Sequence, residues 1–464
     1  MTKEEYLKAF LEALETLSEE ERQQLRDYYE EMLCDGLEQG LTEEECVARF
    51  GDPVKAAAQF QEEYAQEPDQ VQPATSSLMP LKQPEGKFHT LNLAAESLRI
   101  EVEPRQESDF RIAFTPDPNL DIIESEERDG VWFFRHKLKK RLAHMFFGIR
   151  RRGESVITVQ VPDSFNGTLL IQTSNAKIHC ASIQNLPRIS LVSSNGGVEA
   201  ENTGSEDFYC KTCNAHIRLT GLHALTGGKL EAVTSNGKIQ GDGLHYQQIS
   251  CETGNAGINL SQISCETLKA QTGNGRVDAR DCAVSGGISL VSSNAPVAVE
   301  GLRGKHITIT TSNGRVEAQN CAAANSISLV SSNAPVAVEH LQGECITIAT
   351  NDGRIDAHDC TAANGISLVS SNAPITVEHL QGERIAISTN DGGVTVHDLS
   401  SGHISLQTSN ASITGTVRGD IREYATQGKT SNGSCNIPNL RYPDQQKEFS
   451  AVTSNGKIHV DFQP

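Results

Sequence analysis

Cysteines are the first residues in this sequence whose spacing could support chemistry. Cys210-x-x-Cys213 is a single pair, and no second pair follows it at zinc-ribbon spacing, so it is a weak metal signal. Cys282, Cys321 and Cys360 lie 39 residues apart. They could form a column of thiols or metal ligands, or a column of small apolar side chains in a core. The core interpretation is favoured, because free cysteine is among the most buried residue types.

Three arginines repeat at the same interval, each two residues before an acid. The pairs are Arg276 with Asp278, Arg315 with Glu317, and Arg354 with Asp356. Residues i and i+2 of a strand share one face, so each pair would be neighbours. Such a row could bind or cleave an acidic polysaccharide, or it could be a surface charge ladder with little effect on stability. Three copies favour the ladder, because an active site is usually built once.

Histidines repeat at this interval too. His340 and His379 are 39 residues apart, but the sequence shows no His-x-His pair or acid cluster beside them that would predict ligation. The sequence therefore predicts no catalytic residue, no cofactor and no metal, and we expect a protein that is not an enzyme.

The segment 135–152 is the strongest binding candidate, with eight Lys or Arg and no acid. Apolar residues in it follow the spacing of one helical face: Leu138, Leu142, Met145, Phe146 and Ile149. A basic amphipathic helix is typical of membrane-surface binding, because its cations meet anionic lipid while its apolar face enters the headgroup boundary. The alternative is a hairpin tip, or a cap helix whose apolar side closes the N-terminal end of a repeat array.

The residues of this segment predicted to contact membrane or partner are Lys137, Lys139, Lys140, Arg141, Phe146, Phe147, Arg150, Arg151 and Arg152.

A repeat of about 20 residues must position these groups. A Ser/Thr-Ser-Asn-Gly/Ala turn, or its equivalent, recurs fifteen times between residues 175 and 455, and Asn351 and Asn390 are taken as the Asn position of two of these turns. Residues 288–300 return unchanged at 327–339 and with two changes at 366–378, a period of 39 residues or two coils. Repeats of this kind predict a solenoid.

Each repeat predicts two short strands flanking a tight turn. Apolar residues alternate before the Asn, as at Ile288 and Leu290, and after it, as at Val297 and Val299. Asn followed by Gly or Ala suits a turn, because Asn tolerates a left-handed backbone and Gly has no steric penalty there. Identical residues one coil apart would lie about 4.8 Å from each other, so the Asn side chains could form a hydrogen-bonded ladder. The ladder positions include Asn294, Asn313, Asn333, Asn372 and Asn410.

The predicted fold is therefore mainly β: a β-solenoid of about 15 coils with two short strands per coil, preceded by a small all-α domain. We expect a helical domain at 1–64, a Pro/Gln-rich linker at 65–86, a solenoid cap carrying the basic insert at 87–170, and repeats at 171–464. Helix starts in the first domain are signalled by Thr2 with Glu5, Ser18 with Glu21, Thr42 with Glu45, and Asp52-Pro53.

Charge and composition bound the function. Residues 1–70 hold 20 acids against 6 Lys or Arg, out of a chain charge of −20, and this balance argues against direct nucleic-acid binding. The acidic N-terminus predicts no signal peptide, and no stretch approaches 18 consecutive apolar residues. Twelve cysteines without an export signal fit a reducing cytoplasm.

The N-terminal segment resembles the helical HAAS signalling domain of Gram-positive bacteria. The resemblance is carried by Lys3-Glu4-Glu5-Tyr6-Leu7, by Leu14…Leu17-Ser18-Glu19-Glu20-Glu21, and by Phe50-Gly51-Asp52-Pro53…Ala57…Phe60. That family accompanies PadR-like repressors and membrane-signalling operons, which implies a protein-interaction role. The alternative is a plain helical cap on the solenoid.

Residues 90–464 resemble the bacterial "putative adhesin" β-strand-repeat family, through the Ser-Asn-Gly turns and Val156-Ile-Thr-Val-Gln-Val-Pro162. The family occurs in envelope-stress proteins of the Lia type and in exported proteins, so the resemblance specifies fold better than function.

We expect a non-catalytic, cytoplasmic envelope-stress or signalling scaffold, peripheral at the membrane where the basic segment binds. Its helical domain would bind a regulatory protein of the PadR-like kind. The alternatives are an adhesin-like protein that binds glycan or cell envelope, and a filament of solenoids stacked through uncapped ends. The chain ends two residues after Phe462, with no obvious cap.

Overall fold

The computed structural model describes residues 2–14, 22–23, 25–26, 29–30, 33, 42–58, 79–82, 87–116, 121–138, 156–441 and 445–463. The protein is mostly β, a β-solenoid of about 14 turns preceded by a small helical segment, which confirms the predicted fold class. It divides into two compact units, Met1–Gly237 and Lys238–Pro464. The domain boundaries at residues 64, 86 and 170 stay predictions.

Local sequence signals start the helices of the first unit. Thr2 pairs with Glu5 before α1 (Lys3–Glu12), and Thr42 pairs with Glu45 before α2 (Glu43–Phe50). In each box the Thr hydroxyl accepts from the Glu N–H at 3.3 Å, and the Glu carboxylate accepts from the Thr N–H at 2.8–2.9 Å. These side chains pair backbone N–H groups that a helix cannot pair itself. The third predicted box, at Ser18, lies outside the described residues.

The Gly-Asp-Pro element joins α2 to a third helix at residues 53–58. Gly51 ends α2 with a φ of +81°, in the left-handed region that favours glycine. The Asp52 carboxylate then accepts from the N–H groups of Val54 and Lys55, both at 3.0 Å. Asp52 is therefore the N-cap that the sequence predicted before Pro53.

These helices enclose an aromatic core of their own. The ring of Tyr6 lies 5.6 Å from that of Tyr29 and 5.4 Å from that of Phe50, and the Tyr6 hydroxyl donates to the Phe50 carbonyl at 3.2 Å. Phe10 is fully buried and lies 4.9 Å from Tyr29. The buried face of α1 consists of Tyr6, Leu7, Phe10 and Leu11.

Seven strands precede the regular coils in the first unit. They are β1 (Met79–Lys82), β2 (Thr90–Ala95), β3 (Arg99–Arg105), β4 (Arg111–Phe114), β5 (Asp121–Arg128), β6 (Val131–Leu138) and β7 (Val156–Pro162).

Two parallel sheets then run through the coils of each unit. We call the sheet formed by the strands before each Ser-Asn turn the pre-turn sheet, and the sheet formed by the strands after it the post-turn sheet. The pre-turn strands are β8 (Thr168–Thr173), β10 (Leu186–Ser193), β12 (Ser205–Thr212) and β14 (Lys229–Thr234) in the first unit, and β16 (Gln248–Thr253), β18 (Ser264–Cys265), β19 (Thr267–Thr272), β21 (Ala283–Val284), β22 (Gly287–Ser292), β24 (Arg303–Thr311), β26 (Ala322–Ser331), β28 (Gln342–Thr350), β30 (Thr361–Ser370), β32 (Gln381–Ser388), β35 (Tyr424–Lys429) and β36 (Lys447–Val452) in the second.

The post-turn strands are β9 (Ile178–Ala181), β11 (Val198–Glu201) and β13 (Ile217–Thr220) in the first unit, and β15 (Ile239–Asp242), β17 (Ile258–Ser261), β20 (Val277–Arg280), β23 (Val297–Glu300), β25 (Val316–Gln319), β27 (Val336–Glu339), β29 (Ile355–His358), β31 (Ile375–Glu378), β34 (Ile413–Arg418) and β37 (Ile458–Gln463) in the second. β33 (Val394–Gln407) belongs to both sheets, and a 3-10 helix spans Ile421–Glu423. Neighbouring strands pair in register, so that Val297 lies beside Val316 and both are fully buried.

A buried hydroxyl lies two residues before the Asn position in coil after coil. In one coil the Thr311 hydroxyl donates to the Ala295 carbonyl of the preceding coil at 3.3 Å and accepts from the Gly314 N–H of its own turn at 3.0 Å. The column comprises Thr173, Ser193, Thr212 and Thr234 in the first unit, and Thr253, Thr272, Ser292, Thr311, Ser331, Thr350, Ser370, Thr389, Thr408 and Thr453 in the second, each at most 7% exposed. In the sequence these residues stand out only as the Ser or Thr that begins each turn.

Glycine and alanine alternate from coil to coil at the position after the Asn. The residues are Ala176, Gly196, Ala215 and Gly237 in the first unit, and Ala256, Gly275, Ala295, Gly314, Ala334, Gly353, Ala373, Gly392, Ala411 and Gly456 in the second. The alternation ends at the outermost coil of the second unit, where Gly433 lies against Gly456. A Cβ on Gly314 would lie well inside van der Waals contact of the Ala295 carbonyl oxygen, and the other glycines of this set meet the preceding alanine in the same way. This steric requirement, imposed on every second coil, gives a physical reason for the 39-residue period.

The explanation of the turn from a left-handed backbone is therefore wrong. The glycines of this set and the ladder asparagines are absent from the positive-φ residues of the described chain. The left-handed residue of each coil lies at the opposite corner, after the post-turn strand, as at Gly301 (φ 66°), His340 (φ 53°) and Asp359 (φ 52°). Glycine is needed in the Ser-Asn turn because another coil approaches closely.

At the N-terminal end of the first unit, the order in space differs from the order in sequence. β2 pairs with both β6 and β8, and β3 pairs with both β7 and β9. The β6–β7 coil therefore lies outside the β2–β3 coil that precedes it in the chain. Antiparallel strands cover it, because β5 pairs with β6 and β4 with β7, and β1 pairs with β4.

At the C-terminal end of the second unit, the order of the coils in space also differs from their order in the sequence. β36 pairs with both β33 and β35, so the last coil of the chain lies inside the β35 coil. An antiparallel bridge pairs Leu440 with Thr426 of β35. The expectation that Val452–Phe462 forms an uncapped end is therefore wrong, and the filament alternative loses the argument on which it rested.

The alternation predicts an asymmetric response to matched substitutions. Gly314→Ala should lower the free energy of unfolding by about 1–3 kcal/mol or more, because the new methyl group overlaps the Ala295 carbonyl. Ala295→Gly should lower it by about 0.5–1 kcal/mol, because glycine adds backbone entropy to the unfolded chain. Urea denaturation of the two variants measures both values. Equal values would show that the period has another cause.

Candidate functional site

The basic segment connects two strands of the first unit at the place where another coil has its Ser-Asn turn. β6 ends at Leu138 and β7 begins at Val156, so residues 139–155 connect a pre-turn to a post-turn strand. In the neighbouring β2–β3 coil, Ser97 holds the turn, and its hydroxyl accepts from the Asn175 side chain at 3.1 Å. The segment therefore emerges at the corner where the Asn column of this unit begins.

Most of the predicted contact residues lie outside the described residues. These are Lys139, Lys140, Arg141, Phe146, Phe147, Arg150, Arg151 and Arg152. Lys137 is described, and its ammonium group lies 3.2 Å from the Glu124 carboxylate of β5.

The helical stripe predicted to start at Leu138 needs a correction. Residues 135–138 are the end of β6, and Leu138 is buried at 8% exposure. The alternation of Trp132, Phe134 and His136 with exposed residues has period 2, and it continues to Leu138. Any helix in the basic segment must therefore begin after this residue.

A buried contact between His136 and Asp121 fixes the end of β6, from which the basic segment starts. His136 Nε2 lies 2.8 Å from the Asp121 carboxylate, with both side chains at most 1% exposed. The Phe114 ring packs edge-on against His136 at 5.5 Å. The Glu96 carboxylate accepts from the Leu138 N–H at 2.8 Å, and the Glu96 N–H donates to the His136 carbonyl. The last residues before the segment are therefore fixed to the solenoid by side chains as well as by strand pairing.

The edge strand beside the end of β6 is acidic. β5 carries Glu124, Glu126 and Glu127, and most of its residues are exposed. Charged side chains on an edge strand oppose pairing with another chain. Because Arg135 lies opposite Glu124 and Lys137 pairs with it, two of the eight cations of the basic segment are matched within the solenoid. Six cations remain in residues 139–152.

Asparagine side chains form a column outside each buried hydroxyl. In the second unit the Nδ2 of Asn294 donates to Asn274, that of Asn313 to Asn294, and that of Asn333 to Asn313, at 2.7–2.8 Å. In the first unit Asn195 donates to Asn175 at 2.9 Å and Asn236 to Asn214 at 2.7 Å. The amides of this column donate toward the N-terminal neighbour, so they bind coils to one another in one direction.

Aspartate occupies two positions of the column. Asn372 donates to Asp352 at 2.5 Å, and Asn410 donates to Asp391 at 2.6 Å. The assignment of residues 351 and 390 to this position is therefore wrong by one residue. The hydroxyls of Thr350 and Thr389 fix the true register. A carboxylate accepts but has no N–H to donate, so each aspartate interrupts the column on its N-terminal side.

The arginine pairs lie on the surface. Arg276, Arg315 and Arg354 contact the acid two residues on at 2.8, 3.0 and 2.9 Å. The arginine side chains are 47–60% exposed. They form a charge ladder on the post-turn sheet, with water on its outer side.

The repeated cysteines lie in the core. Cys282, Cys321 and Cys360 each follow the left-handed residue of their coil and are 1% exposed, and buried Leu302 and Leu341 occupy the same corner in the coils between them. Burial raises the pKa of Cys282 to about 12 and those of Cys321 and Cys360 to about 11. These groups remain thiols at neutral pH, so they are poor nucleophiles and poor metal ligands. Cys210 and Cys213 are likewise buried.

Within the described part of the chain, two groups of His and carboxylate side chains bring potential metal ligands together. One is His179, Glu199 and Glu201 in the first unit, and the other is Glu339, His340 and Asp359 in the second. Sequence analysis missed the second group because Asp359 comes from the next coil. The available signal was the acid adjacent to each histidine, in Glu339-His340 and His358-Asp359, repeated 39 residues on in Glu378-His379 and His397-Asp398.

The first group is already neutralised by cations. Glu199 lies 2.6 Å from the Lys177 ammonium group and 3.0 Å from His216. Burial acts to raise the pKa of Glu199, but hydrogen bonds from Lys177 and His216, together with the charges of Lys177 and Arg218, outweigh it and lower the pKa to about 2. A metal ion at Glu199 would have to displace Lys177.

Two protein families match this chain. Residues 5–59 match the HAAS family, and residues 88–294 and 299–462 match the Toastrack DUF4097 family. The second match covers well over half of the chain. The chain belongs to the Toastrack DUF4097 family. Both resemblances stated from the sequence are thereby confirmed, the HAAS segment at the N-terminus and the adhesin-type repeat after it.

Two solved structures resemble the Toastrack region at low identity. One is described as a "putative cell adhesion protein" from Clostridium sporogenes, with 8% identity over 84% of this chain and 99% of that chain, and a TM-score of 0.17. The other is described as a "putative adhesin" from Bacteroides fragilis, with 12% identity over 85% of this chain and 100% of that chain, and a TM-score of 0.15. Likeness at this level carries no argument about function. No curated protein matches the chain.

The HAAS and Toastrack matches together point to a non-enzymatic regulatory or envelope-associated protein. Among the described residues, no helix has the length and hydropathy needed to cross a bilayer.

The arginine ladder of the Toastrack region yields a prediction. Changing Arg276, Arg315 and Arg354 together to Gln should lower the free energy of unfolding by roughly 0–1 kcal/mol per pair, because exposed ion pairs contribute little. Urea denaturation measures the change, and binding to polygalacturonate is measured in parallel. If the folded variant lost binding that the parent protein shows, the row would be a glycan site.

Proposed function

We propose that this protein is a non-catalytic, cytoplasmic signalling scaffold that links a regulatory protein to an anionic membrane. The HAAS domain binds the regulator, which the family resemblance suggests is PadR-like. The Toastrack solenoid is the rigid frame, and the basic segment contacts lipid. The observation that carries the proposal is the position of this segment, which replaces a turn at a fixed corner of the first unit.

Composition supports the membrane contact. Residues 139–152 contain six Lys or Arg, no acid, and the apolar Leu142, Met145, Phe146, Phe147 and Ile149. Cations near an anionic leaflet contribute about 1 kcal/mol each, and buried apolar side chains add to this. Because His136 and Glu96 fix the strand that leads into the segment, less conformational entropy is lost when the segment meets a surface.

The surface of the HAAS domain supports the partner role. Among its described residues, Tyr6, Phe10, Tyr29 and Phe50 belong to its own core, whereas four glutamates are exposed: Glu4, Glu12, Glu43 and Glu44. An acidic surface suits a basic partner. The basic segment of the same chain is one such partner, so the HAAS domain and anionic lipid would compete for it. In this mechanism, lipid binding releases the HAAS domain to its regulator.

Two variants that each lose three arginines, from different parts of the chain, test the membrane contact. Changing Arg150, Arg151 and Arg152 to Gln should weaken co-sedimentation with phosphatidylglycerol vesicles by roughly 100-fold, at about 1 kcal/mol per cation. Changing Arg276, Arg315 and Arg354 to Gln removes the same charge elsewhere and should leave vesicle binding unchanged. Phosphatidylcholine vesicles should bind neither form nor the parent protein.

The same assay tests the competition. A chain without residues 1–64 should bind phosphatidylglycerol vesicles more tightly than the full chain at low salt, and the difference should shrink at 1 M salt, where the Debye length is about 3 Å. Equal binding at low salt would refute the competition. If the full chain and the shortened chain both failed to bind, the basic segment would be a cap and the membrane link would be wrong.

A further inference from the structure

Histidines and carboxylates alternate in two adjacent columns on the second unit. The outward positions are Glu339, His358 and Glu378, at the ends of three post-turn strands, and His397, within β33. The left-handed corner residues that follow them are His340, Asp359, His379 and Asp398. We call these eight residues the His–carboxylate column. Strand pairing places Glu339 beside His358, His358 beside Glu378, and Glu378 beside His397. Each histidine therefore has carboxylates as its neighbours.

The contacts in the column are close and accessible to solvent. His340 Nδ1 lies 3.5 Å from the Glu339 carboxylate, and His340 Nε2 lies 3.8 Å from that of Asp359. One ligand atom from each of these three residues can be chosen so that all lie within 4.8 Å of one another. The three side chains are 44–54% exposed.

We propose that Glu339, His340 and Asp359 bind a divalent transition-metal ion of the zinc type. Imidazole and carboxylate are borderline and hard ligands that suit Zn²⁺, Ni²⁺ and Co²⁺. Zinc–ligand distances of about 2.0–2.2 Å require donor atoms roughly 3.4 Å apart in a tetrahedral site. One ligand atom from each residue lies within 4.8 Å of the other two, so rotations of the exposed side chains bring three ligands to this spacing, and water takes the fourth position.

The charges around the three residues favour a cation. Among the described contacts, the Glu339 and Asp359 carboxylates pair with histidine and with no Lys or Arg. Neutral imidazole leaves both carboxylate charges uncompensated, and a divalent ion compensates them while using the imidazole nitrogen as a ligand. Two comparable groups of residues differ in this respect. In the group around His179, Glu199 forms an ion pair with Lys177, and beside His379, Asp398 forms an ion pair with Arg418.

The backbone holds the ligands without needing the metal. His340 and Asp359 lie in successive coils, at the same left-handed corner. The His340 N–H donates to the His358 carbonyl at 3.1 Å, which fixes one coil against the next. An ion at this site would join two coils through side chains and would stabilise the folded state, because it binds that state preferentially.

Isothermal titration of the full chain with ZnCl₂ tests the proposal. All forms carry Cys345→Ser, which removes the one exposed thiol of the described cysteines as a competing ligand. The parent form should bind one equivalent of Zn²⁺ and show a higher Tm with it. His340→Gln should lose both effects. It should still fold, because Gln262 occupies the same left-handed position in another coil with a φ of 53°.

His306→Gln is the matched control. His306 is exposed and contacts Ser326 and Asn325 rather than carboxylates, so this variant should bind Zn²⁺ as the parent does. Co²⁺ absorption identifies the ligands, and the spectrum should lack a thiolate charge-transfer band. The proposal is wrong if the parent binds no Zn²⁺, if His340→Gln binds it equally, or if the Co²⁺ spectrum shows thiolate ligation.

Discussion

The buried hydroxyl of each Ser-Asn turn is the interaction on which the rest of the solenoid depends. A chain that turns between two parallel sheets leaves backbone N–H and C=O groups at the corner that no strand can pair. Thr311 pairs one of each, an N–H of its own turn and a carbonyl of the preceding coil. Because the same oxygen joins both, the shape of one turn determines where the next coil lies. The outer Asn column and the Gly/Ala alternation are arranged around this contact.

Because the turn contacts fix the position of each coil, the outward side chains can vary while the core side chains stay nearly the same. The core positions repeat Val, Ile and Leu, while the outward positions of the post-turn strands change freely from Ala298 to Glu317 to Asp356. A whole turn can be replaced where the solenoid ends, as between β6 and β7. The basic segment and the His–carboxylate column are both modifications of positions that the backbone already fixes, one at each corner of the coil.

Features that depend on local spacing could be predicted from the sequence, whereas features that depend on a neighbouring coil could not. Period-2 alternation predicted the strands, and Thr2 with Glu5 predicted the start of α1. The role of Gly314 was misread, because its restriction comes from the Ala295 carbonyl of another coil. The ladder register at Asp352 was missed by one residue for lack of the Thr350 contact. The reversed order of the terminal coils has no sequence signal, since it arises from strand pairing between distant segments.

Hydrogen exchange at the turn amides tests the role of the buried hydroxyl most directly, because exchange reports local opening free energy coil by coil. Thr311→Val keeps the side-chain shape and removes the hydroxyl, and Thr308→Val makes the same change at an exposed position of the same strand. If the account is right, Thr311→Val speeds exchange of the Gly314 amide roughly tenfold or more, since an unpaired buried group costs about 1–3 kcal/mol. Thr308→Val should leave that amide unchanged. Equal protection of Gly314 in the two variants would contradict the account and place the stabilisation of the coils in strand pairing alone.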